Sequence, residues 1–318
     1  MTRTSCMVRL AKEYLAYRKS LGFQLASAEP LLLRFAEYAD RTGHRGPLTT
    51  ELVVRWVRLP KAGSPGYLAR RLDVVRGFAR HRAVADPRTE IPPPRLLGAT
   101  YRRRTPHIYS EAELSALVAA ARSLSPRTGL RPHTYSTLFG LLACTGLRVS
   151  EAVKLTRNDI DWRQGLLTVR QTKFRKSRLV PLHATALGAL RDYAARRDQL
   201  HPAPTTEAFF LTSRGTALAL SSVGVTFWKL RKQLRWSAGR GTGKPRIHDL
   251  RHTFACRRLQ RWYADGVDVD HAVAALSTYL GHASVRDTYW YLTGTPELLA
   301  LATARFERFA SAASGGRR

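Results

Sequence analysis

The sequence predicts a mainly α-helical protein with a small β-hairpin or sheet, an α+β fold in two domains. Three observations carry that expectation. The length, 318 residues, is that of two average domains, and 44% hydrophobic residues give each a core to bury. Apolar residues recur at helical spacing over most of the chain. One short stretch reads instead as two apolar runs around a basic turn.

Four helices are expected in residues 1–95. Val8, Leu10, Tyr14, Leu15 and Tyr17 mark the first by their spacing, and Leu31, Leu32, Phe35 and Tyr38 the second. Thr49 or Thr50 can cap a third that runs through Leu52, Val53, Trp56 and Val57. Tyr67, Leu68, Leu72, Val75 and Phe78 make a fourth, with Arg70, Arg71, Arg76, Arg80 and Arg82 on its other face. Asp86-Pro87 and Pro92-Pro93-Pro94 then break the pattern, since proline cannot continue a helix. Residues 96–108 read as a Pro/Arg-rich linker that holds Arg102, Arg103 and Arg104. Ser110 and Glu113 stand at capping-box spacing and open the next helix. Leu166–Val169 and Ser177–Leu182 flank the basic tip Gln171–Lys176 of a hairpin. Helices are expected around 184–199, 221–236, 248–263, 270–280 and 296–310.

The charge narrows the function. There are 53 Lys+Arg against 23 Asp+Glu, a formal net charge of +30. Residues 1–100 hold 18 basic and 8 acidic residues and the remaining 218 hold 35 and 15, so both parts are positive. A polyanion-binding surface over both is the economical reading, with nucleic acid the obvious polyanion. No apolar run approaches the ~20 residues of a membrane span, and no charged-then-apolar leader opens the sequence. Cys6, Cys144 and Cys256 are odd in number and far apart, which argues against a disulfide framework and fits a reducing cytoplasm. Three apparent motifs fail on spacing. Gly239–Pro245 lacks the first glycine and the Ser/Thr of a phosphate loop, Asp265, Asp268 and Asp270 do not match a calcium loop, and no H-E-x-x-H occurs. No metal or cofactor is expected.

Four segments together are more specific. They are Thr145-Gly146-Leu147-Arg148-Val149-Ser150-Glu151, the Lys173 hairpin that ends in Arg178-Leu179-Val180-Pro181-Leu182, His248-Asp249-Leu250-Arg251-His252, and Leu280-Gly281-His282 with Tyr291 nine residues on. His248 and Arg251, three apart, share one helix face. This set, in this order, resembles the tyrosine recombinase (phage integrase) family over roughly residues 105–300, and the first 95 residues resemble that family's core-binding domain.

The resemblance implies a two-domain DNA clamp. Residues 1–95 are then the helical core-binding domain, 96–108 the linker, 109–295 the catalytic domain, and 296–318 a C-terminal helix and tail that docks on a neighbouring protomer or on its own core. It makes Arg148, Lys173, His248, Arg251 and His282 catalytic and Tyr291 the nucleophile, with Glu151 and Asp249 orienting them. Phe174 replaces the glycine that often follows the lysine, which leaves Lys176 a rival to Lys173. Tyr289 is read as a packing residue. Arg70, Arg71, Arg102, Arg103, Arg104, Arg175 and Lys176 are candidate DNA contacts. The implied activity is site-specific DNA cleavage and rejoining without metal or ATP, for recombination, integration or transposition. The alternatives are a topoisomerase of the same chemistry and an inactive accessory subunit. The implied partner is double-stranded DNA, bound as two duplexes by a tetramer of this chain or of related recombinases, in the cytoplasm at the nucleoid.

The residue types suit that chemistry. A tyrosine can hold a phosphodiester as a covalent ester. Two arginines match the charge on the non-bridging oxygens. A histidine can assist a phenol whose free pKa is near ~10, and a lysine can protonate the leaving oxygen.

Overall fold

The chain divides into two units, Met1–Arg103 and Arg104–Arg318. This computed structural model describes residues 6–60, 63–98, 105–170, 177–238 and 243–292, with residues 300, 303, 304 and 307 beyond.

Among the described residues the first unit holds four helices, α1 (Cys6–Ser20), α2 (Glu29–Arg41), α3 (Thr50–Arg58) and α4 (Pro65–Ala85). Their starts follow local chemistry. The Thr49 hydroxyl accepts the Leu52 N–H at 3.3 Å, a cap worth about 1 kcal/mol. Ser64 caps α4 ahead of Pro65, whose missing N–H costs nothing in a first turn. The start of α1 is closed from elsewhere, by the Asp40 carboxylate, which accepts the Met7 and Val8 N–H groups at 3.1 and 2.9 Å. Phe35, Trp56, Leu72, Val75 and Phe78 fill the core, with Phe35 edge-on to Trp56 at 5.3 Å. Tyr17, counted with the apolar face of α1, is instead 50% exposed, with its ring stacked on His81 of α4 at 5.3 Å.

The residues that follow α4 pack on the first unit. Glu90 accepts the Thr50 N–H at 2.8 Å and Leu97 lies on the first core. On the other side Ile108 and Tyr109 pack in the second unit, where the Tyr109 N–H donates to Thr253 Oγ1 at 3.0 Å. Residues 99–104, with Arg102, Arg103 and Arg104, lie outside the described residues.

The second unit opens with α5 (Glu111–Arg122) on the Ser110/Glu113 capping box. It continues through α6 (Leu130–Thr145) and the single turn α7 (Val149–Ala152). Strands β1 (Ile160–Asp161), β2 (Leu166–Val169) and β3 (Arg178–Pro181) form an antiparallel sheet in the order β1-β2-β3, with Val169 opposite Arg178 at the end nearest the connection between β2 and β3. β1 adds a strand that the sequence pattern did not reveal. Then come α8 (Ala184–Leu200), α9 (Leu220–Gln233), α10 (Asp249–Ala264), α11 (Val269–Leu280) and α12 (Arg286–Leu292). α9 stops short of the expected 236 because Arg235 turns the chain with φ +57°. α12 was not expected, and the helix expected at 296–310 lies almost wholly outside the described residues.

Helix α6 runs through the larger core, where Leu138, Phe139, Leu141 and Leu142 meet Tyr193, Phe209 and Phe210. A smaller cluster joins α10, α11 and α12 through Ala255, Cys256, Leu259, Val273, Leu276 and Tyr291. Among the described residues no helix is long and apolar enough to cross a membrane.

Candidate active site

Helices α6 and α11 both stop at a glycine in the left-handed region, Gly146 with φ +64° and Gly281 with φ +67°. Neither position has room for a side chain. A Cβ on Gly146 would lie 2.6 Å from the Phe254 ring, and one on Gly281 2.8 Å from Arg178 Nη1. The last carbonyls of a helix lack intrahelical donors and carry partial negative charge. Here arginines supply the donors. Arg251 on α10 donates from Nη1 to the Gly146 carbonyl at 2.9 Å and from Nη2 to the Leu280 carbonyl at 2.6 Å. Arg148, just before α7, donates from Nη2 to the Gly281 carbonyl at 3.1 Å, and Arg178 on β3 from Nε to the Tyr279 carbonyl at 2.7 Å. Burial first, then the charge of Arg148, lowers Arg251 to about 10, so it stays cationic at neutral pH.

One carboxylate holds two of these arginines, and a second holds the start of α10. Glu151 accepts from the Arg148 N–H at 2.9 Å and from Arg148 Nη1 at 2.7 Å, and it also binds Arg178. Burial alone would raise its carboxyl, but the hydrogen bonds and charge of Arg178, then Arg148, hold it down to about 2. Asp249 is 1% exposed and accepts from Arg246 Nη2 at 2.7 Å and from the Arg246 N–H at 2.8 Å. It fixes the start of α10 rather than touching Arg148 or Arg251.

Tyr291 on α12 is 3% exposed, whereas Tyr289 is 43% exposed. The packing role expected of Tyr289 therefore falls to Tyr291, since α12 turns residue 291 inward against α10 and α11. The His252 ring meets the Tyr291 ring edge-on at 5.2 Å and the His282 ring stacks on it at 5.9 Å. His248, one turn before His252 on α10, meets His252 edge-on at 5.0 Å. Burial raises the Tyr291 phenol, and the charge and hydrogen bond of Arg251 oppose that rise without cancelling it. The imidazoles move the other way. Burial and then Arg251 push His248 below its ordinary value, burial and then His248 take His252 to about 4, and burial with Arg251 and Arg148 takes His282 to about 3. At neutral pH all three are uncharged and the phenol is protonated. His282 Nδ1 lies 2.7 Å from the buried Thr288 hydroxyl, which fixes its ring.

The arrangement has a recognisable kin. Residues 109–297 match the model of the phage integrase family. The chain belongs to the phage integrase family. It is 44% identical over 303 residues to the Sinorhizobium fredii protein y4rB, named as a candidate integrase/recombinase, covering 93% of this chain and 96% of that one. It is 31% identical over 229 residues to the tyrosine recombinase XerC of Chlamydia caviae, covering 70% of this chain and 66% of the relative. A Tn1549 transposon integrase, solved in complex with transposon right end DNA, shares the fold with a TM-score of 0.69 at 18% identity, covering 96% and 99% of the two chains.

For this integrase-family chain the structure gathers Arg148, Glu151, His248, Arg251, His282 and Tyr291 around the ends of α6 and α11. Lys173, Arg175 and Lys176 lie outside the described residues. Of the candidate DNA contacts on α4, Arg70 is exposed and donates to the Ser27 hydroxyl. Arg71 is not available to a phosphate. It is 6% exposed, lies 3.7 Å over the Trp56 ring and donates to the Trp56 carbonyl at 2.7 Å. Three site residues escaped the sequence reading. His252 was visible as the neighbour of Arg251, while Arg178 and Thr288 carried no local signal.

Proposed function

We propose that this chain cuts and rejoins DNA strands at specific sites through a 3′-phosphotyrosyl intermediate on Tyr291. One observation carries the reading: Tyr291 is buried between the rings of His252 and His282 and in contact with Arg251, whose charge acts on it. A phenol in such company has cations for a phosphate and neutral imidazoles for a proton within one cluster.

In the proposed step the Tyr291 oxygen attacks the scissile phosphorus, and its proton passes to neutral His248. Arg148 and Arg251 stabilise the charge that grows on the non-bridging oxygens. With Nδ1 of His282 engaged by Thr288, its Nε2 is free to donate to the same phosphate. The bond from phosphorus to the 5′ oxygen breaks, and Lys173 protonates that oxygen. The phosphotyrosyl ester conserves the bond, so attack by the 5′ hydroxyl of a second strand completes exchange without ATP. The partner is duplex DNA, a reading supported by the net charge of +30 and by the DNA complex of the similar Tn1549 integrase. The assembly is four protomers on two duplexes, and the first unit acts as the core-binding domain.

The test uses supercoiled plasmids that carry the genomic DNA flanking the coding sequence. Recombinant joints are expected, with a covalent protein–DNA species on denaturing gels. Relaxed circles without joints would make the chain a topoisomerase, and DNA binding with no adduct would make it an accessory subunit.

A further inference from the structure

Arg178 stands at the end of the hairpin segment with no catalytic role assigned to it, yet both nitrogens of its fork and its Nε are engaged. Nη1 and Nη2 donate to Glu151 Oε1 and Oε2 at 3.2 and 2.8 Å, and Nε to the Tyr279 carbonyl at 2.7 Å. Both side chains are buried, Arg178 at 9% and Glu151 at 7% exposure. The bidentate geometry is that of a strong, oriented pair. Gly281 belongs to the same construction, because any Cβ there would meet Arg178 Nη1 at 2.8 Å. Glu151 is shared, for its Oε1 also accepts from Arg148 Nη1 at 2.7 Å.

The charges can be counted. Among the described residues that meet at the helix ends, Arg148, Arg178 and Arg251 supply three positive charges and Glu151 one negative, which sum to +2. A phosphodiester carries one negative charge, and its pentacoordinate state approaches two. Glu151 gives Arg148 its orientation, but alone it would also cancel Arg148's charge. In a buried site such a cancellation is only weakly screened.

We propose that Arg178 is a positioning residue that neutralises Glu151, so that Arg148 is held by a carboxylate and still presents its charge to the scissile phosphate. This rests on the strand-cleavage reading above. Arg178 thereby ties β3, the strand that leaves the hairpin, to the charge balance of the site. A plain structural staple between β3 and α11 would use the same contacts, and only a charge-sensitive readout separates the two roles.

The experiment measures single-turnover adduct formation on a nicked duplex carrying the cleavage site mapped on the plasmids. Arg178→Met is expected to slow cleavage on the order of 10²-fold, as loss of one charge-stabilising group does. The double variant Arg178→Met/Glu151→Gln should recover at least about tenfold over Arg178→Met, because the uncompensated carboxylate has gone. A methylphosphonate at the scissile position, which removes one non-bridging negative charge, should narrow the gap between wild type and Arg178→Met. Arg178→Lys keeps the charge and should stay within about tenfold of wild type; it also serves if the methionine variant does not fold. Losses that accumulate in the double variant, with no narrowing on methylphosphonate, would make Arg178 a staple and overturn the proposal. So would a lysine variant as slow as the methionine one. Wild-type protein that forms no adduct on any duplex would instead sink the cleavage reading, and this inference with it.

Discussion

Each unit of the molecule buries an arginine on a helix, and the two are put to different uses. Arg71 in the first unit lies over the Trp56 ring and donates to the Trp56 carbonyl. Tyr67 is its other ring neighbour, at 5.7 Å. Its guanidinium works as a flat, weakly hydrated plate that joins α3 to α4. Arg251 in the second unit is held by the carbonyls of Gly146 and Leu280, beside Tyr291 and within the field of Arg148. Burial alone therefore does not tell the two arginines apart. The neighbours do: aromatic carbon in one case, titratable groups and open helix ends in the other.

Replacing each arginine breaks or sharpens that contrast. Arg251→Ala should lower cleavage by ~10²–10³-fold or more, the loss known for removal of one donor to a charge-building oxygen. Arg71→Ala should leave the cleavage rate of the folded protein unchanged and destabilise the first unit by about 2–4 kcal/mol, read from chemical denaturation. An Arg71→Ala protein that is stable but inactive would erase the distinction.

The hairpin lysine gives the next largest effect. Lys173→Ala should be severely slow on normal DNA and substantially rescued when the bridging 5′ oxygen is replaced by sulfur, whose thiolate leaves without a proton. Arg251→Ala should not be rescued, since the non-bridging charge remains. Rescue of Lys176→Ala instead would move the acid three residues along.

Acid sensitivity also separates the units. His252 and His282 are depressed to about 4 and about 3, so between those values and the ordinary ~6.5 the unfolded chain binds more protons than the folded one. Their contribution to stability is complete above pH ~6.5 and is lost as pH falls toward 4 and 3. Melting curves between pH 7 and 4 should show the second unit losing stability, with a shallower slope in His252→Gln. Cleavage should persist somewhat below pH 6.5, because His248 also resists protonation. The smallest effect is expected for Thr49→Ala, about 1 kcal/mol of first-unit stability with no change in cleavage.

Much of this was legible in the sequence where the physics is local. Thr49 and the Ser110/Glu113 pair announce helix starts within three residues of themselves, and the helices stand where they say. The order of Arg148, His248, Arg251, His282 and Tyr291 likewise pointed to residues that the fold brings together. Arg178 was not legible, because its partners Glu151 and Tyr279 are 27 and 101 residues away and no short pattern links them. Tyr17 and Tyr289 were misread for a related reason. Helical spacing tells which residues share a face, but not how fully other elements cover each of them.

The central claim is that the buried tyrosine is the nucleophile although an exposed one lies two residues away. The direct measurement is to trap the covalent adduct on a nicked duplex, digest it and locate the phosphate by mass spectrometry. The account predicts phosphate on Tyr291, with Tyr291→Phe still binding DNA and forming no adduct and Tyr289→Phe forming it normally. Phosphate on Tyr289, or an undiminished adduct in Tyr291→Phe, would contradict it.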